Sequence, residues 1–246
     1  MTARSHGLTM EWHDRVAVVR LARPERRNAL DIGTLRSLLD VQREAADAGA
    51  LLLAGEGTVF CAGADLAGVR EDDFHEALDA VLRGFTRMRC PVVVHAHGAA
   101  LGAGTQLLVA SDLRMTTSDC VIGVPAAKLG LVVQHWTVER LTRELSWPVT
   151  RAMLLSAQTY TGADLHRIGA VHRLGTHDDA LAWARELCTL APLTLAGHKL
   201  TLESLAGEPT VDESVIAARA AALASADARE GRAAFAEKRP PRFMGS

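Results

Sequence analysis

Short apolar runs alternate with amphipathic stretches along the first half of this chain. The runs "VAVVRL" (Val16–Leu21), "ALLLAG" (Ala50–Gly55) and "CPVVVHAHG" (90–98) are typical of buried strands. Between them, apolar spacing predicts one helix that starts after an N-cap at Asp31 and ends at Gly49, and a second helix over 74–88. Strands that alternate with helices predict an α/β fold with right-handed crossovers.

Composition narrows the classes of protein that fit. Hydrophobic residues make up 48% of the 246 residues but aromatic residues only 4%, so Leu, Val and Ala must fill the core. A net charge of −2 gives no basic footprint for nucleic acid. No apolar run reaches the roughly 20 residues of a membrane span, and the first residues show no targeting signal, so we expect a cytoplasmic protein.

The four cysteines fit neither a zinc site nor a disulfide framework. Cys61, Cys90, Cys120 and Cys188 form no C-x-x-C pair. Buried free thiols in a reducing compartment are the expected outcome.

Two loops of small residues are candidate ligand cradles. "CAGAD" (61–65) and "GAG" (102–104) match neither G-x-G-x-x-G nor a P-loop. The second opens a helix, whose first turn has unpaired N–H groups and a positive dipole end. Two backbone donors from separate loops could grip one oxygen, although both loops could equally be plain tight turns.

Five segments occur together in a fixed order: "RPERRNAL", "GEGTVFCAGADL", "PVVVHAHGAALGAGTQLLVASDLRM", "KLGL" and "RAMLLSA". In this order and spacing they resemble the crotonase superfamily, the enoyl-CoA hydratase/isomerase family. The resemblance runs from Val16 to the "EKRPP" tail. It implies a crotonase-like (ClpP/crotonase) α/β fold, a spiral of ββα units forming an acyl-CoA-binding core over 1–192. A helical region over 193–246 would then form a trimer or a dimer of trimers.

The resemblance also implies the layout of the site. The backbone N–H groups of Ala64 and Ala103 would form an oxyanion hole that polarises an acyl-CoA thioester carbonyl, with coenzyme A as part of the ligand, no separate cofactor and no metal. Contacts to coenzyme A would come from Arg26, Arg27, Ala29, Ala62, Asp65, Leu66 and, in the tail of a neighbouring subunit, Lys238 and Phe243. Arg26 and Arg27 could instead be a solvated charge pair.

Two positions depart from the family's hydratases, which hold a water between two glutamates. One glutamate follows the oxyanion residue by three positions and the other comes twenty positions later. Here these positions are Gln106 and Ala126. An amide and a methyl group have no proton chemistry near neutral pH, and each general acid or base contributes about 10²–10⁴ in rate. The resemblance is closest to actinobacterial members that lack both glutamates.

Three hypotheses follow. The first is an acyl-CoA binder in lipid metabolism with little or no hydratase activity. The second is an active hydratase or isomerase whose acid/base work has moved to His135 or Glu139, an i,i+4 pair in the unusually bulky segment "VVQHWTVERL", which could also be a surface pair. The third is a structural trimer with a decayed site.

Other titratable groups have simpler expected roles. His95 and His97 alternate along one strand face, but no further ligand spacing completes a metal site, so we expect hydrogen-bonded histidines. Asp65 and Asp112 are each expected to brace a local turn by accepting backbone N–H groups.

Overall fold

The computed structural model describes residues 2–65, 71–129, 131–205, 217, 221, 224–237 and 239–246. Its strands are β1 (Thr2–Ser5), β2 (Leu8–His13), β3 (Val16–Leu21), β4 (Ala50–Gly55), β5 (Val92–Ala96), β6 (Ala99–Leu101), β7 (Leu113–Thr116), β8 (Val121–Gly123), β9 (Tyr160–Thr161) and β10 (Arg173–Leu174). Its helices are α1 (Ile32–Glu44), α2 (Glu71–Arg87), α3 (Ala103–Ala110), α4 (His135–Leu145), α5 (Trp147–Leu155), α6 (Gly162–Arg167), α7 (His177–Leu187), α8 (Pro192–Ser204) and α9 (Ala226–Glu237). Short 3₁₀ helices lie at Pro24–Arg26 and Ala126–Leu129.

The strands form two sheets. The larger has the order β1-β2-β3-β4-β5-β7-β10, and the smaller has the order β6-β8-β9. β1, β2 and β3 pair antiparallel, whereas the pairs from β3 to β10 are parallel. Helices α1 and α2 connect the parallel strands β3, β4 and β5, as the predicted crossovers require.

Both faces of the large sheet are covered, which explains the unbroken apolar strands. Alternate residues of a strand point to opposite faces. Val16 and Val18 therefore pack with Trp183 and Leu187 of α7, whereas Ala17 and its alternates face the core that α1, α2 and α3 complete.

The first helix begins where predicted but ends earlier. The Asp31 carboxylate accepts the Thr34 N–H at 2.7 Å, so the predicted N-cap is confirmed. The helix ends at Glu44. The prediction that it ends at Gly49 was wrong. Gly49 instead approaches α7 closely, since a Cβ there would lie 2.7 Å from Cys188 Sγ.

Helix α8 is joined to the preceding fold by a buried cation. Lys199 Nζ donates to the Phe85 and Cys90 carbonyls at 2.9 and 3.1 Å and to the Asp112 carboxylate at 2.7 Å. Asp112 also accepts the Val92 N–H at 2.6 Å. Asp112 therefore connects β5 and α8. The expectation that it braces a turn after its own helix was wrong. The predicted division of the chain into a core over 1–192 and a helical region over 193–246 stays a prediction.

The cysteines are free thiols, as predicted. Three are buried, and burial raises the pKa of Cys61 to about 12, so this thiol is protonated at neutral pH. Within the described residues, no helix is long and apolar enough to cross a membrane.

Candidate functional site

The two small-residue loops lie against each other. The Leu101 N–H donates to the Cys61 carbonyl at 2.9 Å, and Cys61 pairs with Ala100 as a parallel bridge. A Cβ on Gly102 would lie 3.8 Å from the Gly63 Cα, so the two glycine turns are in contact. The structure thus brings together the two segments that the sequence separates by about 40 residues.

Each glycine turn is followed by a residue with a free backbone N–H. Gly63 has φ +118° and Gly102 has φ +54°, conformations that favour glycine. Ala64 follows the first turn, and Ala103 follows the second as the first residue of α3. Neither N–H donates a hydrogen bond to any described residue. Two unpaired donors on adjoining turns are what an oxyanion hole requires.

The loop that carries Ala64 is fixed to the loop over 24–30. The Leu30 N–H donates to the Gly63 carbonyl at 2.8 Å, and the Asp65 N–H donates to the Leu30 carbonyl at 2.7 Å. The Ala62 N–H donates to the Arg27 carbonyl at 3.0 Å. The predicted coenzyme A contacts on the two loops are therefore neighbours.

Asp65 reinforces this junction through its side chain. Its carboxylate pairs with Arg23 at 3.2 Å and with Arg26 at 3.1 Å. The hydrogen bond from Arg26 lowers the pKa of Asp65. The expectation that this carboxylate accepts backbone N–H groups was wrong, because two guanidinium groups from the facing loop occupy it. Arg27 is exposed and makes no ion pair with the described residues.

Asn28 organises the same loop and was missed by the sequence analysis. Its side chain is buried, accepts the Arg23 N–H at 2.9 Å, and donates to the Glu56 and Val59 carbonyls at 2.8 and 2.9 Å. Its φ of +55° is one that asparagine tolerates better than most residues. An asparagine at the end of an Arg-rich turn was the available signal.

Gln106 lies in the first turn of α3 and is held from α4. The buried Thr137 hydroxyl donates to Gln106 Oε1 at 2.9 Å. Thr105, another residue that the sequence analysis missed, joins α3 to the end of β8, because its hydroxyl oxygen accepts the Gly123 N–H at 3.2 Å. Ala126 follows three residues later at the start of a 3₁₀ helix.

Ala126 is one of several half-buried apolar residues that contact the main hydrophobic core. Ala64, Ala77, Ala126, Val133 and Trp136 are half-buried side chains that pack against one hydrophobic core. None of these five side chains carries a charge.

The alternative acid/base residues are not joined to each other. His135 is exposed as the first residue of α4, and Glu139 lies 3.9 Å from Arg143. No hydrogen bond or ion pair connects His135 with Glu139 in the described part of the chain. The predicted proton-sharing pair is therefore not formed, and Glu139 makes only a long ion pair with Arg143 on the next helical turn.

The two strand histidines bind backbone carbonyls, as predicted. His95 Nε2 lies 3.2 Å from the Gly175 carbonyl, and His97 Nε2 lies 2.9 Å from the Gly57 carbonyl. Burial lowers the pKa of His95 to about 4, which keeps this imidazole neutral near pH 7. Among the described residues, no group of three or more His, Cys, Asp or Glu is placed to hold a metal ion.

The remaining predicted contacts are dispersed. The Ala29 carbonyl accepts a hydrogen bond from Arg23 Nη1 at 2.9 Å. Phe243 packs beside α9 of its own chain, since a Cβ on Gly231 would lie 3.5 Å from its ring. Leu66 and Lys238 lie outside the described residues.

A comparison with protein families agrees with this geometry. The sequence model of the family described as enoyl-CoA hydratase/isomerase matches residues 11–246. The chain belongs to this family. The predicted membership of the crotonase superfamily is thereby confirmed.

Relatives of the enoyl-CoA hydratase/isomerase family match nearly the whole chain. "Probable enoyl-CoA hydratase echA6" of Mycobacterium tuberculosis is 38% identical over 237 residues, covering 94% of this chain and 96% of the relative. A putative enoyl-CoA hydratase of Thermus thermophilus is 34% identical over 250 residues, covering 93% and 97%.

Solved structures confirm the fold. A putative enoyl-CoA hydratase from Streptomyces coelicolor superposes with a TM-score of 0.89 at 28% identity, covering 100% of this chain and 97% of that one. An enoyl-CoA hydratase/carnithine racemase from Magnetospirillum magneticum has a TM-score of 0.91 at 24% identity, with the same coverage, and supports the fold alone. The predicted crotonase-like α/β fold is therefore correct.

Proposed function

We propose that this protein binds acyl-CoA and enoyl-CoA thioesters in an oxyanion hole formed by Ala64 and Ala103, with little or no hydratase activity. The proposal is carried by one observation: two unpaired backbone N–H groups lie on adjoining glycine turns. In the sequence, an amide and a methyl occupy the two positions at which a hydratase of this family needs glutamates. Gln106 and Ala126 are these two residues.

The oxyanion hole acts on the thioester before any proton moves. Two N–H dipoles that converge on the carbonyl oxygen draw electron density toward it and stabilise the negative charge of an enolate-like state. Neither Ala64 nor Ala103 needs to reorganise, because each donor is already fixed by its glycine turn. Binding and polarisation therefore survive the loss of the glutamates.

Hydration needs a further step, which these residues do not supply. A water must lose a proton as it adds to the double bond, and a proton must reach the α carbon. The Gln106 amide can neither take nor return a proton, and its oxygen already accepts from Thr137. Its NH₂ group can still orient a water or an acyl group.

The arginine-rich loop over 24–30 is the proposed site for coenzyme A phosphates. Arg27 is exposed and makes no ion pair with the described residues, whereas Arg26 forms an ion pair with Asp65. A guanidinium binds phosphate through paired hydrogen bonds. Coenzyme A enters as part of the ligand, no other cofactor is needed, and the protein acts in cytoplasmic lipid metabolism.

An active hydratase or isomerase is the alternative. The names of the mycobacterial and Thermus relatives, which describe probable or putative enoyl-CoA hydratases, favour it. It would require His135 or Glu139 to replace the missing glutamates. The exposed position of His135 and the Arg143 neighbour of Glu139 weigh against that role.

Calorimetric titration with saturated acyl-CoAs of several chain lengths, run beside a crotonyl-CoA hydration assay, tests the proposal. We expect acyl-CoAs to bind more tightly than free coenzyme A, and crotonyl-CoA to be hydrated well below the usual enzyme range of about 1–10³ s⁻¹. Turnover within that range would establish the alternative. Equal affinity for acyl-CoA and free coenzyme A would contradict the oxyanion hole.

We also propose that the protein assembles as a trimer or a dimer of trimers. Large apolar side chains are exposed on α5 and α8, with Trp147 63%, Leu155 81% and Leu202 64% accessible. Burying such surface at a subunit contact is favourable. Sedimentation at micromolar concentration should show a trimer or hexamer, and a stable monomer would refute the assembly.

A further inference from the structure

A cavity is lined by Trp136 but by none of the other half-buried residues Ala64, Ala77, Ala126 and Val133. It has a volume of about 570 Å³ and opens between the C-terminal half of α2, helix α4 and helix α8. This volume is within the range of small-molecule pockets. Its apolar wall includes Met88, Trp136, Leu193 and Leu200. None of the four residues Ala64, Ala103, Gln106 and Ala126 lines it.

The rest of the lining is strongly basic, although the whole chain carries a net charge of −2. The lining contains two carboxylates, Glu139 and Glu203, and a larger number of cationic side chains. The cationic side chains are Arg83, Arg87, Arg89, Arg140, Arg143 and Lys199. A concave surface with this excess of one charge attracts the opposite charge.

Two of these cations are already neutralised by structural partners. Arg140 is buried and binds Glu203 at 2.8 Å, and Lys199 is buried and binds Asp112 at 2.7 Å. Both also donate to backbone carbonyls. They hold α4 and α8 in place and have little capacity for a ligand.

Three other guanidinium groups remain available. Arg87 and Arg89 are exposed and make no ion pair within the described ranges. Arg143 is 3.9 Å from its partner Glu139, which is longer than a hydrogen bond. Arg83, by contrast, binds Asp79 at 2.7 Å and lies over the Trp136 ring.

We propose that this cavity binds a small amphipathic anion. Its carboxylate or phosphate head is held by Arg87, Arg89 and Arg143, because guanidinium groups pair with planar or tetrahedral oxyanions through several hydrogen bonds. Its alkyl chain or ring packs on Met88 and Leu200, where apolar contact replaces water. The proposal is independent of acyl-CoA binding in the oxyanion hole.

Titration calorimetry with octanoate, octyl phosphate and octanol tests the chemistry of the ligand. One octanoate or octyl phosphate ion is expected to bind per chain, at least about tenfold more tightly than octanol. The affinity of this anion should fall as salt is added. The stronger of the two anions identifies the head group. Equal binding of octanol, or no binding of either anion, would overturn the proposal.

Charge reversal locates the site. The double variant Arg87→Glu/Arg89→Glu should weaken binding of the tighter of the two anions, octanoate or octyl phosphate, by at least about tenfold. Arg36→Glu/Arg43→Glu changes the net charge equally at two exposed positions of α1 and should leave affinity within about twofold. Equal losses of anion affinity in both double variants would show that overall charge causes the effect and would contradict the proposed site. Loss in Ala64→Pro, with no loss in Arg87→Glu/Arg89→Glu, would move the anion to the oxyanion hole.

Discussion

The double variant Gln106→Glu/Ala126→Glu should hydrate crotonyl-CoA at least about 10²-fold faster than the parent, because it restores one general acid and one general base. Thr137 would still donate to the carboxylate at position 106, as it does to the Gln106 oxygen at 2.9 Å. We expect the bulky Val133 and Trp136, in the segment that follows position 126, to limit the gain, since positioning errors of about 1 Å can cost ~10²-fold.

The matched controls separate proton chemistry from side-chain size. Each single substitution should have a much smaller effect, because the two carboxylates act on one water and their effects are not additive. Ala126→Gln, which places two amides at the site, should leave hydration at the parental rate. If the parent already turns over at about 1–10³ s⁻¹, the idea fails, and His135→Ala and Glu139→Gln become the next variants to assay.

Ala64→Pro should reduce acyl-CoA affinity by about tenfold or more while the protein remains folded. Proline removes the N–H that is proposed to bind the thioester oxygen. This N–H makes no hydrogen bond with the described residues, so its loss breaks no internal bond among them. Calorimetric titration with one saturated acyl-CoA measures the change, and circular dichroism checks the fold.

Free coenzyme A is the internal control for this variant. It has no thioester carbonyl, so its affinity should be the same for the parent and Ala64→Pro. Ala64→Ser keeps the N–H and should bind acyl-CoA like the parent. Unchanged acyl-CoA affinity in folded Ala64→Pro would remove this residue from the site.

Local sequence rules predicted much of the scaffold. The strands at 16–21 and 50–55 and the N-cap at Asp31 depend on neighbours within a few residues, so the sequence predicted them correctly. The end of α1 was predicted wrongly, because Gly49 is required for its distant contact with Cys188 rather than for a helix cap.

The site residues divide in a similar way. Family resemblance led to Ala64, Ala103, Gln106 and Ala126, whose roles remain predictions for the experiments above. It gave no sign that Thr137 would hold Gln106. The i,i+4 spacing suggested that His135 and Glu139 would share a proton, yet spacing does not decide between competing partners, and Arg143 lies beside Glu139.

The sequence by itself determined the alternation of strands and helices over 16–98, the apolar faces and the absence of glutamates at positions 106 and 126. Only the tertiary structure decided which loops meet, that Asp65 faces two arginines, and that Lys199 is buried against Asp112. Hydrophobic alternation and helix caps act over a few residues and are visible in one stretch of chain. A buried ion pair forms only when packing removes two charges from water together, and residues 87 positions apart give no local sign of that.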